Sequence, residues 1–206
     1  TFDVTVEGRG GHGALPHQTV DPIVAGAEFV TALQTVVSRE VNPLEPAVLS
    51  ITQFQGGTTS NVIPGEAHLA GTARTFSKEL RDAYPGILER VAQGVSTATR
   101  AKLRTVYHFG PPPMINDKAC VDTGRKACAK VFAPDKLVDW ELQMGGEDFA
   151  KYSNPKCLLL LGGGFADEDR RYPQHSPYFD IDEKALGLGV EYFVQYVLEW
   201  EKELKK

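Results

Sequence analysis

From Phe2 to Glu7 apolar and polar residues alternate without a break. Phe2, Val4 and Val6 fall on one face and Asp3, Thr5 and Glu7 on the other. A period of two predicts a half-buried strand of an antiparallel sheet. A loop rich in Gly, Pro and His covers residues 9–20. Asp21-Pro22 then reads as the cap and first position of a helix. Ile23, Ala27, Val30, Leu33 and Val37 recur at helical spacing as its apolar stripe, and Asn42-Pro43 ends it. Residues 47–55 and 66–76 predict two further strands, separated by the turn-rich stretch GGTTSNVIPG from Gly56 to Gly65. In the second of these, Ala67, Leu69, Gly71 and Ala73 share one face; His68, Thr72 and Arg74 share the other. Ser77 is placed to cap a second helix with Leu80, Tyr84, Leu88, Val91, Val95 and Ala98 inward. Pro85 is expected near its first turns or at a kink. Residues 102–109 predict a fourth strand.

The order is strand, helix, strand, strand, helix, strand, which is the split β-α-β pattern of the ferredoxin-like fold. Its sheet leaves edge strands that must be covered or paired. Gly110-Pro111-Pro112-Pro113 is a stiff break, so the chain divides into 1–111 and 112–206. The second segment predicts a helix over about Lys118–Val131 and a short helix opening near Gly146. Cys157–Leu161, continuously apolar and followed by three glycines, reads as a buried parallel strand. A weak strand is expected at about Leu137–Trp140. A last helix is expected over Glu183 to about Glu203, with Leu186, Gly189, Phe193, Val197 and Trp200 inward. Two strands cannot make a parallel sheet covered on both faces. The expectation is therefore an incomplete α/β domain, with a preceding stretch of polypeptide outside this chain.

Composition narrows the function classes. The chain has 206 residues, 42% hydrophobic and 24% charged, with a formal net charge of −5. This is ordinary for a soluble globular protein. No apolar run approaches the ~20 residues of a membrane-spanning helix. The acidic balance argues against a nucleic-acid partner, which asks for a basic face. Cys120, Cys128 and Cys157 contain no C-x-x-C pair, so they read as reduced, mostly buried thiols of a cytoplasmic protein.

Single motifs carry little. Gly8-Arg9-Gly10-Gly11-His12-Gly13 satisfies G-x-G-x-x-G. The preceding strand alternates, however, Pro16 interrupts before a helix can open, and no second strand ends in an acidic residue at the right distance. His12 and His17 are five apart in a loop, which is not the spacing of a helical zinc pair. As loop histidines they make local hydrogen bonds; as functional ones they exchange protons beside backbone that glycine lets approach a ligand. Asn61 is a turn amide or a binding group. Arg74 is a surface ion-pair partner or an anion site. Glu147-Asp148 complements a helix N-terminus or faces a site, and His175 lies in a surface turn or ligates.

Read together, the motifs fit one pattern. GGHGALPH followed by DPI (Gly10–Ile23), LQTVVSRE (Leu33–Glu40), GGTTSNVIPG, GTART (Gly71–Thr75), MGGEDF and HSPYFDIDEKAL stand in order along nearly the whole chain. The sequence resembles the metal-dependent amidohydrolases, a family that includes aminoacylases, hippurate hydrolases, indole-acetyl-amino-acid hydrolases and glutamate carboxypeptidases. The wording of SRE and GGEDF leans toward the aminoacylase and hippurate hydrolase branch. The resemblance implies a ferredoxin-like lid domain at 1–111 that forms a homodimer. It implies that 112–206 is the C-terminal part of an α/β catalytic domain. The family's other metal ligands, bridging residue and Glu general base belong to the part that this chain lacks.

The resemblance also implies roles. His175 would be the one metal ligand of this segment, at a site for two divalent metals, zinc foremost, with manganese, nickel or cobalt as other options. His12 would reach the partner subunit's site and stabilise the oxyanion, a contribution typically of about 10²–10³ in rate. Asn61 and Arg74 would bind substrate, the guanidinium pairing with a free α-carboxylate. Gly145 and Gly146 would bring backbone amides near the substrate, with Glu147 behind them. The implied reaction is hydrolysis of the amide of an N-acyl amino acid or dipeptide by metal-activated water, with the Glu outside this chain relaying the proton. The isolated chain is expected to be inactive. The competing reading is a non-enzymatic dimerisation module, suggested by a self-contained segment beside an incomplete one.

Overall fold

The computed structural model describes residues 1–205 and contains two compact units. The first comprises Thr1–Pro113 with Gln143–Glu147, the second Met114–Leu142 with Asp148 onward.

In the first unit four strands form one antiparallel sheet: β1 (Phe2–Glu7), β3 (Ala47–Gly56), β5 (Glu66–Thr75) and β6 (Lys102–Tyr107), in the order β3-β5-β1-β6. Helices α1 (Pro22–Thr35) and α2 (Lys78–Thr99) complete the β-α-β-β-α-β order. This is the ferredoxin-like arrangement that the alternation and helical spacing predict. Asp21 caps α1, its carboxylate accepting from the N–H groups of Ile23 and Val24. Ser77 caps α2 by accepting from Leu80. Pro85 lies inside α2, which continues unbroken around it.

The core sits between one sheet face and the two helices. Phe2, Val4 and Val6 of β1 meet Leu69 and Ala73 of β5, Phe29 and Leu33 of α1, and Tyr84, Leu88 and Val95 of α2, all buried. Phe2 stands opposite Gly71 in the ladder. A Cβ on Gly71 would lie 2.3 Å from the Phe2 ring, so the missing side chain is what lets the ring lie across β5. The α1 stripe is turned from the expected one. Pro22, Ala25, Gly26, Phe29, Leu33 and Val36 are inward, while Ile23 and Ala27 face out. The start of α1 is apolar on all sides, so periodicity alone does not choose its face. Phe54 of β3 chooses it by seating on Gly26, where a Cβ would come within 2.7 Å of the ring.

Two short strands lie outside the main sheet. β2 (Gly11–His12) pairs with β4 (Val62–Ile63), so the two loops flanking the sheet join as a ribbon.

The second unit is built on α3 (Lys118–Val131), capped by Asp117, and α4 (Lys184–Leu204). Four sequence expectations change here. Leu137–Trp140 is not a strand, and Val138 and Trp140 are exposed. Cys157–Leu161 belongs to no sheet. Its partner is the side chain of Asn116, which donates to the Leu158 carbonyl (3.0 Å) and accepts from its N–H (2.8 Å). A strand needs a neighbouring backbone, and an amide side chain replaces only one residue of it. The predicted inward stripe of α4 holds only in part: Gly189 and Trp200 are half-buried, but Leu186, Phe193 and Val197 are exposed. α4 meets α3 instead through Tyr192, Tyr196 and Glu199. The short helix expected near Gly146 is a single turn at Asp148–Lys151.

Candidate functional site

The loop after β1 is braced at both ends. Arg9 and Val20 exchange backbone hydrogen bonds (2.8 and 3.0 Å), and the buried Thr19 hydroxyl donates to the Pro16 carbonyl. Between them β2 carries His12 out to β4. Gly13 N–H donates to the Asn61 carbonyl at 2.8 Å, so His12 and Asn61, 49 positions apart in sequence, sit on adjoining residues of one ribbon. Both are exposed. The His12 ring is not free to turn, because its Nδ1 accepts from Ala14 N–H at 3.0 Å. Thr59 donates to the Asn61 side-chain oxygen (3.4 Å), which leaves the Asn61 NH₂ outward. His17 lies on the following 3₁₀ turn, Pro16–Gln18, and is exposed.

Arg74 is at the far end of β5. Its Nη1 donates to the Thr72 hydroxyl (2.6 Å) and the Ala73 carbonyl (2.9 Å). No hydrogen bond engages its Nη2 or Nε among the described residues, so the fork that suits a carboxylate is available. Below it Tyr84 is buried and donates to the Arg74 carbonyl (3.3 Å). Burial pushes the Tyr84 phenol up to about 12, so it remains a neutral donor. The ribbon and Arg74 are separated by the eight residue steps from Glu66 to Arg74, roughly 26 Å at about 3.3 Å per step. The fold sets the backbones of His12 and Asn61 on neighbouring positions of the ribbon and keeps Arg74 apart from them.

Gly145 and Gly146 belong to the first unit. Gly145 is open to solvent, and Gly146 lies against Pro111, just beyond the end of β6. Glu147 is half-buried in the same segment.

His175 belongs to the second unit and is exposed in a turn closed by Ser176 N–H on the Pro173 carbonyl. Its φ of 68° is left-handed, a conformation that costs a non-glycine residue about 1 kcal/mol. Strain of this kind persists where the surroundings fix it, often at functional positions. Among the described residues no three His, Cys, Asp or Glu side chains converge on a point that could hold a metal ion. A lone imidazole does not hold a divalent cation, so the described residues do not by themselves fit one. The three cysteines do not change this. Cys120 and Cys128 are buried, Cys157 is half-buried, and burial pushes the Cys128 and Cys157 thiols up, away from the thiolate that binds metal.

Sequence reasoning named His12, Asn61 and Arg74 but not the groups that hold them: the Ala14 amide and the Thr72 hydroxyl. The backbone amide has no sequence signal. Thr72 had one, standing two residues from Arg74 on the same strand face.

Comparison with known proteins agrees with the fold. Residues 1–97 match the family model described as the peptidase dimerisation domain of the M20 peptidases. The chain is 40% identical over 195 residues to the N-acetyl-L-cysteine deacetylase of Bacillus subtilis, covering 94% of this chain and 45% of that protein. It is 50% identical over 115 residues to the N-acyl-L-amino acid amidohydrolase of Geobacillus stearothermophilus, covering 56% of this chain and 31% of that protein. A Bacillus subtilis crystal structure described as a dinuclear metal binding peptidase from the M20 family superposes with a TM-score of 0.67 at 29% identity. That match covers 95% of this chain and 48% of the other. The chain spans about half the length of the curated relatives it matches. The chain belongs to the M20 amidohydrolase family.

Proposed function

We propose that this chain is the lid and C-terminal catalytic part of a metal-dependent amidohydrolase that releases amino acids from their N-acyl derivatives. The observation that carries the reading is the split of polar groups along β5. The ribbon presents a ring N–H and an amide at one end, and Arg74 presents a guanidinium fork at the other, roughly 26 Å away. An N-acyl amino acid has a carbonyl that develops negative charge on hydrolysis and a fixed carboxylate a few ångströms from it. His12 answers the first, Asn61 orients it, and Arg74 pairs with the second. One copy cannot bring both ends to one small molecule, which supports a homodimer whose sites combine His12 and Asn61 of one lid with Arg74 of the other.

Gly145 and Gly146 lend backbone N–H groups near the Arg74 end, with Glu147 behind them. His175 contributes one imidazole to a divalent-metal site, zinc foremost, whose remaining ligands lie outside this chain. The names of the relatives support N-acetyl and other N-acyl amino acids as the substrate class. The mild acidity and the reduced thiols support a cytoplasmic enzyme.

The test is release of free amino acid from N-acetyl- and N-benzoyl-amino acids by the full-length protein, with and without chelator. Chelator-sensitive turnover is expected, and metal-independent hydrolysis overturns the reading. The 206-residue chain alone is expected to be inactive. The self-contained first unit favours one alternative, a dimerisation module without chemistry, for which the full-length protein would dimerise but hydrolyse nothing.

A further inference from the structure

The ribbon that carries His12 also fixes the state of its ring. Three successive amides after His12 are committed: Gly13 N–H to the Asn61 carbonyl, Ala14 N–H to His12 Nδ1, and Leu15 N–H to the His12 carbonyl, at 2.8, 3.0 and 2.8 Å. An N–H aimed at a ring nitrogen is matched only by a lone pair, and a neutral imidazole carries one proton. Nδ1 is therefore bare and the proton sits on Nε2. Turning the ring over would set a carbon against the Ala14 amide and lose the bond.

We propose that the Ala14 backbone amide is a positioning group that holds His12 as its Nε2–H tautomer, with that N–H outward as a fixed donor. The inference rests on the reading of His12 as the group that meets the oxyanion, and it states how the ring does so. A general base must turn a bare nitrogen toward the reacting water, and here the bare nitrogen is turned back into the loop. His12 keeps its proton through the reaction. It donates to the carbonyl oxygen as charge develops, and the proton transfers of amide cleavage are made by other groups. Preorganisation of this kind requires no reorganisation of the donor when the charge appears.

The chain carries its own references. His17 is exposed, and its ring makes no hydrogen bond among the described residues. His68 and His108 engage Glu66 and Asp3 through Nε2 at 2.7 and 3.0 Å, so they too are Nε2–H donors when neutral.

The experiment is long-range ¹H–¹⁵N correlation NMR of the chain in alkaline buffer, where imidazoles are neutral, with each histidine assigned by single His→Gln variants. His12 is expected to show a pyridine-like Nδ1 and a pyrrole-like Nε2, separated more widely than the tautomer-averaged nitrogens of His17. A separation no wider than that of His17, or a protonated Nδ1, overturns the proposal. Ala14→Pro removes the N–H and should collapse the His12 signature to that of His17. Ala14→Gly keeps the amide and should leave it unchanged.

In the full-length enzyme Ala14→Pro should lower kcat roughly tenfold with little change in KM, while Ala14→Gly stays near wild type. Should the proline disturb the ribbon, a second pair decides. The Gln amide nitrogen falls near Nε2 and the Asn nitrogen near Nδ1, so His12→Gln should retain more kcat than His12→Asn. Equal loss overturns the proposal. An intact NMR signature in an enzyme whose turnover ignores His12 overturns the oxyanion role and leaves the tautomer assignment standing.

Discussion

The two units of this chain solve the same problem differently. In the first, a sheet with one apolar face meets two helices with apolar stripes, and the core closes. Phe2, Val4, Val6, Phe29, Leu33 and Leu88 are all essentially inaccessible, while Asp3, Arg104 and His68 on the opposite sheet face remain in water. In the second, α3 and α4 are joined by tyrosines and by charge, and the apolar side of α4 stays open: Val190 is 67% and Phe193 69% exposed. Amphipathicity is thus largely used up in the first unit, where Val24 and Val106 still remain exposed, and left over along α4 in the second. Apolar residues in the second unit should matter far less to the stability of this chain than their hydrophobicity suggests.

The sharpest way to break that contrast is a matched pair of truncations. Phe2→Ala removes a ring packed over Gly71 and should cost roughly 3–5 kcal/mol. Phe193→Ala, the same change on the open face of α4, should stay within about 0.5 kcal/mol. Urea unfolding of both variants measures the difference. Equal costs would mean that the α4 face is covered in solution.

Within the first unit a functional comparison follows. In the full-length protein His12→Ala should lower kcat by about 10²–10³ while bound metal stays constant by elemental analysis. Arg74→Ala should instead act mainly on KM for substrates with a free α-carboxylate, and hardly at all on their carboxamides. Loss of metal in the His12 variant would move that residue into the ligand set.

The two units also differ in how far the sequence disclosed them. Strict alternation in β1, the caps Asp21 and Ser77 and the Tyr84-Leu88-Val91-Val95 stripe left little freedom for the first unit, and its order and ladder follow. The α1 face was not legible, because Pro22 to Ala27 is apolar all round and the choice was made by Phe54 from another strand. The second unit resisted for a stronger reason. The stripe of Leu186, Gly189, Phe193, Val197 and Trp200 is periodic and apolar, yet only Gly189 and Trp200 are half-buried, and the contacts with α3 are made by Tyr192, Tyr196 and Glu199. Hydrophobic periodicity finds surface that seeks cover, not which neighbour is present to supply it. At the candidate site the ionisable side chains were legible, and the ribbon was not. β2 and β4 are two residues each, and both lie among turn residues.

Charge gives the second unit its own dependence on pH. Glu199 is nearly inaccessible and accepts from Lys130 and from Lys202 (2.7 Å). The Lys130 bond first, then that of Lys202, hold its carboxyl down to about 2 from an ordinary 4.5. A carboxyl lowered by folding stabilises above its unfolded value and loses that contribution as pH falls through the folded one. The pairing of α3 with α4 should therefore weaken between about pH 4.5 and pH 2. Hydrogen exchange should show α4 amides losing protection in that window before those of β1 and β5. Glu199→Gln should remove the pH step, and a step that survives it would assign the acid response elsewhere.

The smallest predicted effect tests whether the two units differ in packing alone. α1 and α3 start in the same way: Asp21 and Asp117 each accept from the N–H groups two and three residues on. Local chemistry makes the two caps equivalent, each costing about 1 kcal/mol on change to Ala. What differs is what the helix start leans on. Pro22 and Ala25 of α1 are sealed in the core, so fraying there opens the sheet and Asp21→Ala should lower the global unfolding midpoint. The first turn of α3 rests on Cys120 and on the Asn116–Leu158 clasp. Asp117→Ala should therefore surface as faster amide exchange at residues 118–121, with little change in the global midpoint. Equal shifts in the midpoint would show that the two units unfold as one cooperative body, and the contrast drawn from their burial would not extend to their energetics.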